Sequence, residues 1–361
     1  MKVLFLPIII VIITFIDCSD SVGDDKFPIV KDYSELFSMN LESKILTKLT
    51  YDKRPISFMQ YLPQSDKILF VQDGTFIMNV DGSNRSKLSS RSILSVTNWY
   101  VPYLVITSDE RYAFYSITQR NAGTKSFSTI YSLALSNGEE TIVLQDSSWI
   151  TELGVSQNGD SIVFQTSKTI TEPTALYLFD LNTKIKIKLQ EHPDYQCFFP
   201  QFVPNERKIL FFEHRNGLFD NVLITLFDLD DSSSTLILDS AIIQQEIYSS
   251  LNLSGSIFYN YYGLKILNVK TNQRILVPFS ISINSKYDYV NWSYDKSDII
   301  FTNNNLSEIV IYDLANSSNT IIKPILDGPI DETRGSIRFP YLRYNNEDIY
   351  FSIQYSETVL N

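Results

Sequence analysis

Residues that commonly carry out catalysis are few in this 361-residue chain. A serine nucleophile of the Gly-x-Ser-x-Gly type needs glycines at fixed spacing, because the sharp turn exposes its hydroxyl. The nearest match, Gly154-Val-Ser-Gln-Asn-Gly159, has the wrong spacing, and the histidines are His192 and His214. Two histidines and the one cysteine that follows Cys18 do not form a zinc site of ordinary spacing. We therefore predict no catalytic residue, no metal and no cofactor.

Acidic residues cluster in short polar segments. Asp228–Asp231 and Asp81–Asn84 carry oxygen atoms that calcium prefers. Each segment lies between apolar stretches, where Asp and Asn favour tight turns for backbone reasons. Paired acid and base catalysis needs carboxylates opposed across a cleft, which adjacent residues do not provide. We predict solvated turns or tethers for the adjacent pairs Glu139-Glu140, Asp230-Asp231 and Asp24-Asp25.

Positive and aromatic residues gather in three long connecting segments, Ile117–Ser128, Thr166–Thr174 and Glu213–Asn221. Long connections on one side of a rigid scaffold are common places for recognition. Positive charge is also distinctive in a protein of net charge −11. We predict a surface that binds a partner or ligand, with ordinary surface variation as the alternative. Its candidate residues are Arg120, Lys125, Phe127, Lys168, His214, Arg215 and Phe219.

The N-terminus has the features of an export signal. Lys2 precedes an uncharged run from Val3 to Ile16, which is typical of a signal-peptide core and short for a membrane span. Cys18 follows almost directly and resembles the lipobox cysteine of bacterial lipoproteins, which implies that it is lipidated. Asp17 stands where that motif usually has a small residue. Ordinary signal-peptidase cleavage is the alternative.

These features divide the chain into a signal peptide (1–18), a polar tether (19–32) and a folded domain (33–361). We expect a lipoprotein at the outer membrane or cell surface, with a periplasmic or secreted protein as the alternative. Cys197 lies among apolar residues, where a buried, inert thiol is expected. A eukaryotic secreted protein is a third interpretation, since Asn-x-Ser sequons begin at Asn84, Asn252, Asn291, Asn305 and Asn316.

The composition favours a packed β protein. Hydrophobic residues make up 44% of the chain and aromatic residues 13%, with 22 Tyr and 23 Phe, which argues against disorder and for strands. The negative charge argues against nucleic acid or an anionic membrane surface as the main partner. We expect a monomer whose partner is a protein, a peptide or a glycan, and whose lipid anchor attaches it to a membrane.

A strand that ends in phenylalanine recurs along the chain at intervals of about 45 residues. A turn rich in Asp, Asn, Ser or Gly precedes most of its copies, as a tight hairpin requires. The copies are Lys67–Phe70, Arg111–Phe114, Ser161–Phe164, Lys208–Phe211, Gly255–Phe258, Asp298–Phe301 and Asp348–Phe351.

Further strands complete each repeat. A second type follows the phenylalanine strand, as in Leu178-Phe-Asp-Leu181, and a third apolar strand comes after it, as in Ile185–Leu189. A shorter apolar stretch precedes the phenylalanine strand, as in Phe199–Val203. Four short strands in a unit of about 45 residues, without helical periodicity, indicate the blade of a β-propeller.

The phase of the repeat predicts how the ring closes. The segment Tyr33–Thr50 supplies only the last two strands of a unit, and Ile337–Tyr355 supplies only the first two. If the two segments share one blade, closure removes the exposed strand edges that promote aggregation. We predict an all-β fold with a single propeller of seven four-stranded blades, the last closed by N-terminal strands, with six blades as the alternative.

The strand that ends in Ile-x-Phe, followed by (Leu/Ile)-(Phe/Tyr)-Asp-Leu, resembles the WD-like propeller repeat of TolB-type proteins and of the prolyl oligopeptidase propeller. The resemblance covers about Tyr33 to Tyr355 and implies protein binding in the cell envelope. It also leaves an enzyme open, such as a carbohydrate-active lyase or hydrolase that uses the propeller channel. We favour a binding module over an enzyme, because no catalytic motif accompanies the repeat.

Overall fold

The computed structural model describes most of the chain after residue 28, and in these residues no helix is long and apolar enough to span a membrane. All its regular elements are strands. The described residues are 29–91, 104–120, 126–150, 152–167, 174–191, 195–215, 222–241, 255–260, 264–277, 290–293, 298–303, 308–324, 336–342 and 348–359.

The strands form seven antiparallel sheets, which are the blades of a β-propeller. Blade 1 contains β3 (Phe58–Leu62), β4 (Lys67–Val71), β5 (Thr75–Asn79) and β6 (Ser86–Ser89). Blade 2 contains β7 (Val105–Ile106), β8 (Tyr112–Arg120), β9 (Ser126–Ala134) and β10 (Glu140–Asp146). Blade 3 contains β11 (Leu153–Val155), β12 (Ser161–Thr166), β13 (Ala175–Asp180) and β14 (Lys186–Glu191). Blade 4 contains β15 (Tyr195–Phe202), β16 (Lys208–Arg215), β17 (Val222–Asp228) and β18 (Ser234–Ala241).

The remaining blades complete the ring. The described part of blade 5 comprises three strands, β19 (Ser256–Asn260), β20 (Leu264–Asn268) and β21 (Gln273–Leu276). Blade 6 contains β22 (Val290–Trp292), β23 (Asp298–Asn303), β24 (Glu308–Asp313) and β25 (Ser318–Ile322). Blade 7 contains β26 (Ser336–Leu342), β27 (Asp348–Val359), β1 (Ile29–Asn40) and β2 (Leu46–Lys48). The predicted seven-bladed fold is confirmed, and the six-bladed alternative is excluded.

Blade 7 joins the two ends of the folded chain, as the repeat phase predicted. Strand β1 pairs with β27 without a register shift, from Ile29 opposite Val359 to Asn40 opposite Asp348. The rings of Phe37 and Phe351 stack across this pair. The first strand begins at Ile29 instead of Tyr33, so its pairing takes in residues that the sequence placed in the tether.

The hydrophobic core is divided among the seams between blades. Each second strand has alternate side chains on its two faces, so it contributes to two neighbouring seams. In blade 1, for example, Leu69 packs with Tyr115 of blade 2, while Phe70 packs with Leu36 of blade 7. A buried apolar cluster lies at each of the seven seams in the described residues, which shows that the ring is closed.

Acidic and amide residues cap the turns between third and fourth strands. In blade 3 the carboxylate of Asp180 accepts hydrogen bonds from the backbone N–H groups of Asn182 and Thr183. In blade 4 the turn N–H groups bond Asp228 and Asp231 in the same way. This confirms that the acidic segments are turns. Each of these turns holds a residue with a left-handed backbone: Lys44, Asn84, Gly138, Lys184, Ser232, Asn272 and Ser317.

The antiparallel order gives the propeller two faces. Second strands end, and third strands begin, on one of them, which we call the hairpin face. In blades 2, 3 and 4 this face carries the pairs Arg120–Ser126, Thr166–Ala175 and His214–Val222. Fourth strands end there too, and first strands begin there. First strands of neighbouring blades approach one another around the centre, for example β11 and β15.

Candidate functional site at the seam between blades 3 and 4

A buried glutamate lies where blade 3 meets blade 4 on the hairpin face. Glu152 directly precedes β11, the first strand of blade 3, and only 7% of its surface is exposed. Its Oε2 atom accepts a hydrogen bond from the backbone N–H of Phe199 in blade 4. Burial raises the pKa of this carboxyl to about 8, although the Phe199 N–H acts in the opposite direction. Glu152 is therefore largely protonated at neutral pH.

An irregular stretch of β15 brings its donor to Glu152. The register of β15 against β16 shifts between Phe198 and Gln201. Phe199 has a φ of 50°, a conformation that costs a bulky residue energy and persists where its surroundings fix it. Gly154 of β11 lies against this stretch, and a Cβ atom there would stand 2.4 Å from the carbonyl oxygen of Pro200. Only glycine permits this close approach of two backbones.

A second buried carboxylate lies on the same seam. Glu213 is near the end of β16, directly opposite Cys197 of β15, and 6% of its surface is exposed. Its Oε2 atom accepts a hydrogen bond of 2.6 Å from the Thr225 hydroxyl. Its Oε1 atom accepts one of 3.1 Å from the Gln190 amide of blade 3. Because its bonds reach both blades, Glu213 fixes their relative position as well as the end of the β16–β17 hairpin.

Cys197 belongs to this buried network. Its sulfur lies 4.0 Å from Oε1 of Glu213, and its backbone N–H and C=O both bond the hydroxyl of Thr174. Burial, with the negative charge of Glu213, raises the pKa of the thiol to about 12. A thiol that keeps its proton is a poor nucleophile. The prediction of a buried cysteine is confirmed, and its inertness stays a prediction that the raised pKa supports.

A hydrogen-bond network around Glu140 joins blades 1 and 2. Glu140 accepts hydrogen bonds from the hydroxyls of Ser89 and Tyr115 and from Nε of Arg91, the last at 2.7 Å. The guanidinium of Arg91 lies 4.5 Å from the centre of the Tyr131 ring. Burial opposes the charge on Glu140, but these donors outweigh it and lower its pKa. The prediction that Glu140 is a solvated turn residue was wrong, because β10 begins there and turns its side chain into the seam.

The three buried groups at the seam between blades 3 and 4 have different chemical roles. Glu152 can hold or release a proton near neutral pH, whereas Glu213 and Cys197 serve to fix the two blades. In the described ranges no group of three or more His, Cys, Asp or Glu side chains could hold a metal ion. The site residues present are thus suited to proton transfer or to a rigid support for recognition.

Four of the seven predicted binding residues are on described strands, at the hairpin-face ends of blades 2 and 4. Phe127, the second residue of β9, is 36% exposed. Arg120 ends β8, and His214 and Arg215 end β16, so all three lie at the hairpin face. Four other predicted residues lie outside the described part of the chain: Cys18, Lys125, Lys168 and Phe219.

Two of the predicted loops are shorter than expected. In blade 2 strands β8 and β9 pair as far as Arg120 and Ser126, so most of the segment 117–128 is a β-ribbon. In blade 4 strand β16 continues through Arg215, so Glu213 belongs to a strand. In blade 2 the polar residues Ser116 and Thr118 make the continuation of β8 hard to recognise in the sequence. Both hydroxyls donate hydrogen bonds to the backbone C=O of Ile150, which places them inside the seam to blade 3.

Sequence reasoning missed Glu152 and Glu213 as buried groups. The burial of Glu213 had a signal in the sequence, since this residue directly follows the apolar strand Lys208–Phe212. A charged residue in a strand packed on both faces needs hydrogen-bond partners. Glu152 had no such signal, because its burial depends on the irregular backbone of β15 in the next blade.

No family model matches the chain, and no curated protein matches it. Solved structures do. Oligogalacturonate lyase in complex with manganese is similar with a TM-score of 0.57 and 15% identity, covering 74% of this chain and 78% of that chain. The oligogalacturonate lyase of Vibrio parahaemolyticus has a TM-score of 0.55 and 11% identity, covering 74% and 79%. This chain is a seven-bladed β-propeller of the same general fold.

Two further solved structures are similar to this chain. A prolyl endopeptidase structure has a TM-score of 0.56 and 13% identity, covering 90% of this chain and 51% of that one. This chain therefore spans about half of that protein. TolB from Acinetobacter baumannii has a TM-score of 0.49 and 14% identity, covering 85% of this chain and 65% of that chain. At these identities structural likeness shows the fold alone.

Proposed function

We propose that the protein is an exported, lipid-anchored β-propeller that binds a protein, peptide or glycan through the hairpin face of blades 2 to 4. The predicted signal peptide and the lipobox-like Cys18 support attachment to the outer membrane or cell surface. The fold supports a binding role because propellers present several rigid hairpins on one face, where recognition can be built.

The observation that carries this proposal is the support beneath the hairpin ends. Glu213 and Thr174 fasten the base of the blade 4 hairpin to blade 3 through buried hydrogen bonds. The hydroxyl of Ser128 accepts a hydrogen bond from the Ile150 N–H at 2.9 Å and secures the start of β9. Preorganised elements bind with a smaller entropy cost than mobile ones. Phe127, exposed on one of these hairpins, offers an aromatic contact of the kind enriched at interfaces.

The test is a pull-down from native envelopes with matched variants on the two faces. The combined change of Arg120→Glu, Phe127→Ala and Arg215→Glu alters the hairpin face. Ser136→Glu alters an exposed turn at the other end of the same β9 strand. We expect the first variant to lose the specific partner and the second to retain it, with both showing the same thermal unfolding midpoint. Full retention by the hairpin-face variant contradicts the proposal.

Attachment is tested separately by membrane fractionation. Cys18→Ser removes the acceptor thiol of the predicted lipid and should move the protein from the membrane fraction to the soluble fraction. Cys18→Ser with Phe127→Ala should fractionate in the same way as Cys18→Ser alone. A Cys18→Ser protein that stays in the membrane fraction contradicts lipid attachment but leaves partner binding to be judged by the pull-down.

A second candidate function rests on Glu152. A carboxyl with a pKa of about 8 beside the first strand of a blade can supply or take up a proton during elimination or hydrolysis of a carbohydrate. Oligogalacturonate is the substrate to test first, because two solved structures of the same fold are oligogalacturonate lyases. Wild type should form unsaturated products, and Glu152→Gln should not. No product from wild type, or equal rates from both, contradicts this candidate.

A further inference from the structure

The N-terminal strand leaves the propeller at the hairpin face. In blades 2, 3 and 4 the second strand ends opposite the start of the third strand on that face. In blade 7 the corresponding pair is Val359 opposite Ile29, and β1 runs from Ile29 towards the opposite face. The segment that precedes Ile29 therefore begins on the same face as Phe127 and the ends of β8 and β16.

The length of this segment restricts the distance to its attachment point. Residues 19–28 separate Cys18 from Ile29. A chain of this length spans at most about 35 Å when fully extended. If Cys18 is attached to a membrane, a short tether of this kind holds the hairpin face towards that membrane and the opposite face away from it.

The described ion pairs on the hairpin face neutralise two exposed cations, while Arg120 and Arg215 end strands on the same face. The exposed cations Arg54 and Lys323 form ion pairs with Asp73 and Glu308, respectively. With a net charge of −11 the whole protein is repelled by anionic headgroups. Aromatic side chains are exposed there instead: Tyr51, in the connection between β2 and β3, is 72% exposed, and Phe127 is 36% exposed. Exposed aromatics beside satisfied charges are typical of contacts with proteins.

We propose that the tether presents the hairpin face to a protein partner located at the same membrane. This inference rests on the proposed function, specifically on attachment through Cys18. It adds the orientation of the propeller and the place of the partner. A partner at the same membrane gains from a high effective concentration, because both molecules are confined to a layer about 35 Å deep.

The first experiment measures orientation without depending on acylation. The mature chain from Ser19 carries an N-terminal hexahistidine tag and is tethered to neutral phosphatidylcholine vesicles that contain nickel-chelating lipid. A fluorophore is placed at Phe127→Cys or Ser136→Cys, and the chain with neither change is the control for labelling of the buried Cys197. Energy transfer to an acceptor on the headgroups should be about twofold or more greater from position 127, because about 24 Å of β9, from Phe127 to Ala134, lies between the two sites. Equal transfer, or more from position 136, overturns the orientation.

The second experiment locates the partner in cells that express the full chain. A photo-crosslinking amino acid replaces Phe127 or Ser136. We expect a protein adduct from position 127 alone, in the membrane fraction, that falls at least about tenfold in the Cys18→Ser background. An adduct with a soluble protein, or one retained after Cys18→Ser, refutes the membrane location and leaves partner binding intact. An adduct from position 136 alone refutes the hairpin face as the contact surface. Recovery of the wild-type protein in the soluble fraction refutes both the lipid anchor and this inference.

Discussion

Ionisation of Glu152 should weaken the seam between blades 3 and 4. The carboxyl has a pKa of about 8 in the folded protein against an ordinary value of 4.5. Below about pH 4.5 it is protonated whether the chain is folded or unfolded. Between these values the unfolded chain has released the proton and the folded chain keeps it, so stability falls as pH rises. Above about pH 8 the loss is complete.

The size of the effect follows from the difference between the two pKa values, about 8 and 4.5. Each unit corresponds to about 1.4 kcal/mol, which gives an upper limit of roughly 5 kcal/mol. Water entry and small movements at the seam reduce the penalty of a buried charge, so we expect a loss of roughly 2–4 kcal/mol between pH 5 and pH 9. A loss of that size is a large part of the stability of an ordinary domain.

The assay is urea-induced unfolding of wild type and Glu152→Gln at several pH values, followed by tryptophan fluorescence. Glutamine retains an oxygen that can accept the Phe199 N–H but cannot ionise. The variant should match wild type near pH 5 and exceed it at pH 9. Glu139→Gln, at an exposed position, is the control and should follow wild type. A difference between wild type and Glu152→Gln that does not change with pH refutes the reasoning.

Further predictions concern the closure, a seam network and the buried thiol. Phe37→Ala removes the ring that stacks on Phe351 in the closing blade and should cost about 3–5 kcal/mol of unfolding free energy in urea. Tyr115→Phe removes a hydroxyl that donates to Glu140 and should cost about 1–3 kcal/mol in the same assay. Cys197, with its pKa raised to about 12, should resist thiol reagents at pH 8 until the protein is unfolded.

Each of these predictions has a matched control. Phe127→Ala removes an exposed ring and should change stability by no more than about 0.5 kcal/mol. Tyr112→Phe, at a residue 41% exposed, should likewise be nearly neutral. Thiol labelling uses the Cys18→Ser background, so that any reaction comes from Cys197. An equal loss of unfolding free energy in a variant and its control would contradict the role given to that contact. Rapid labelling of the native protein would contradict the protection of Cys197.

The architecture could be predicted because it depends on patterns among residues that are close together in the sequence. Each phenylalanine strand found in the sequence coincides with a second strand of a blade, as Ser161–Phe164 does with β12. The incomplete repeats at the two ends predicted the pairing of β1 with β27. Both signals depend on the alternation of side chains along one strand, a property that neighbouring residues determine.

The candidate site could not be predicted in the same way because it depends on contacts between repeats. Ser116 and Thr118 look like loop residues in isolation, yet they bond Ile150 across a seam. Buried Glu152 accepts the N–H of Phe199, 47 residues later, where the backbone is left-handed. A pattern within one repeat carries no information about the backbone of the next one, so buried polar groups at seams escape it.

The first strand links the closure of the ring to the proposed attachment and recognition. Strand β1 closes the ring, and its Glu35 accepts hydrogen bonds from the Thr50 hydroxyl at 2.6 Å and the Lys53 N–H at 3.0 Å. These bonds fasten the middle of β1, between Ile29 at the hairpin face and Asn40 at the opposite face. A force on the tether therefore acts on twelve paired residues and a buried carboxylate. If Cys18 is attached to a membrane as proposed, we expect the pairing of all twelve β1 residues with β27 to keep the face that holds Ile29 towards that membrane.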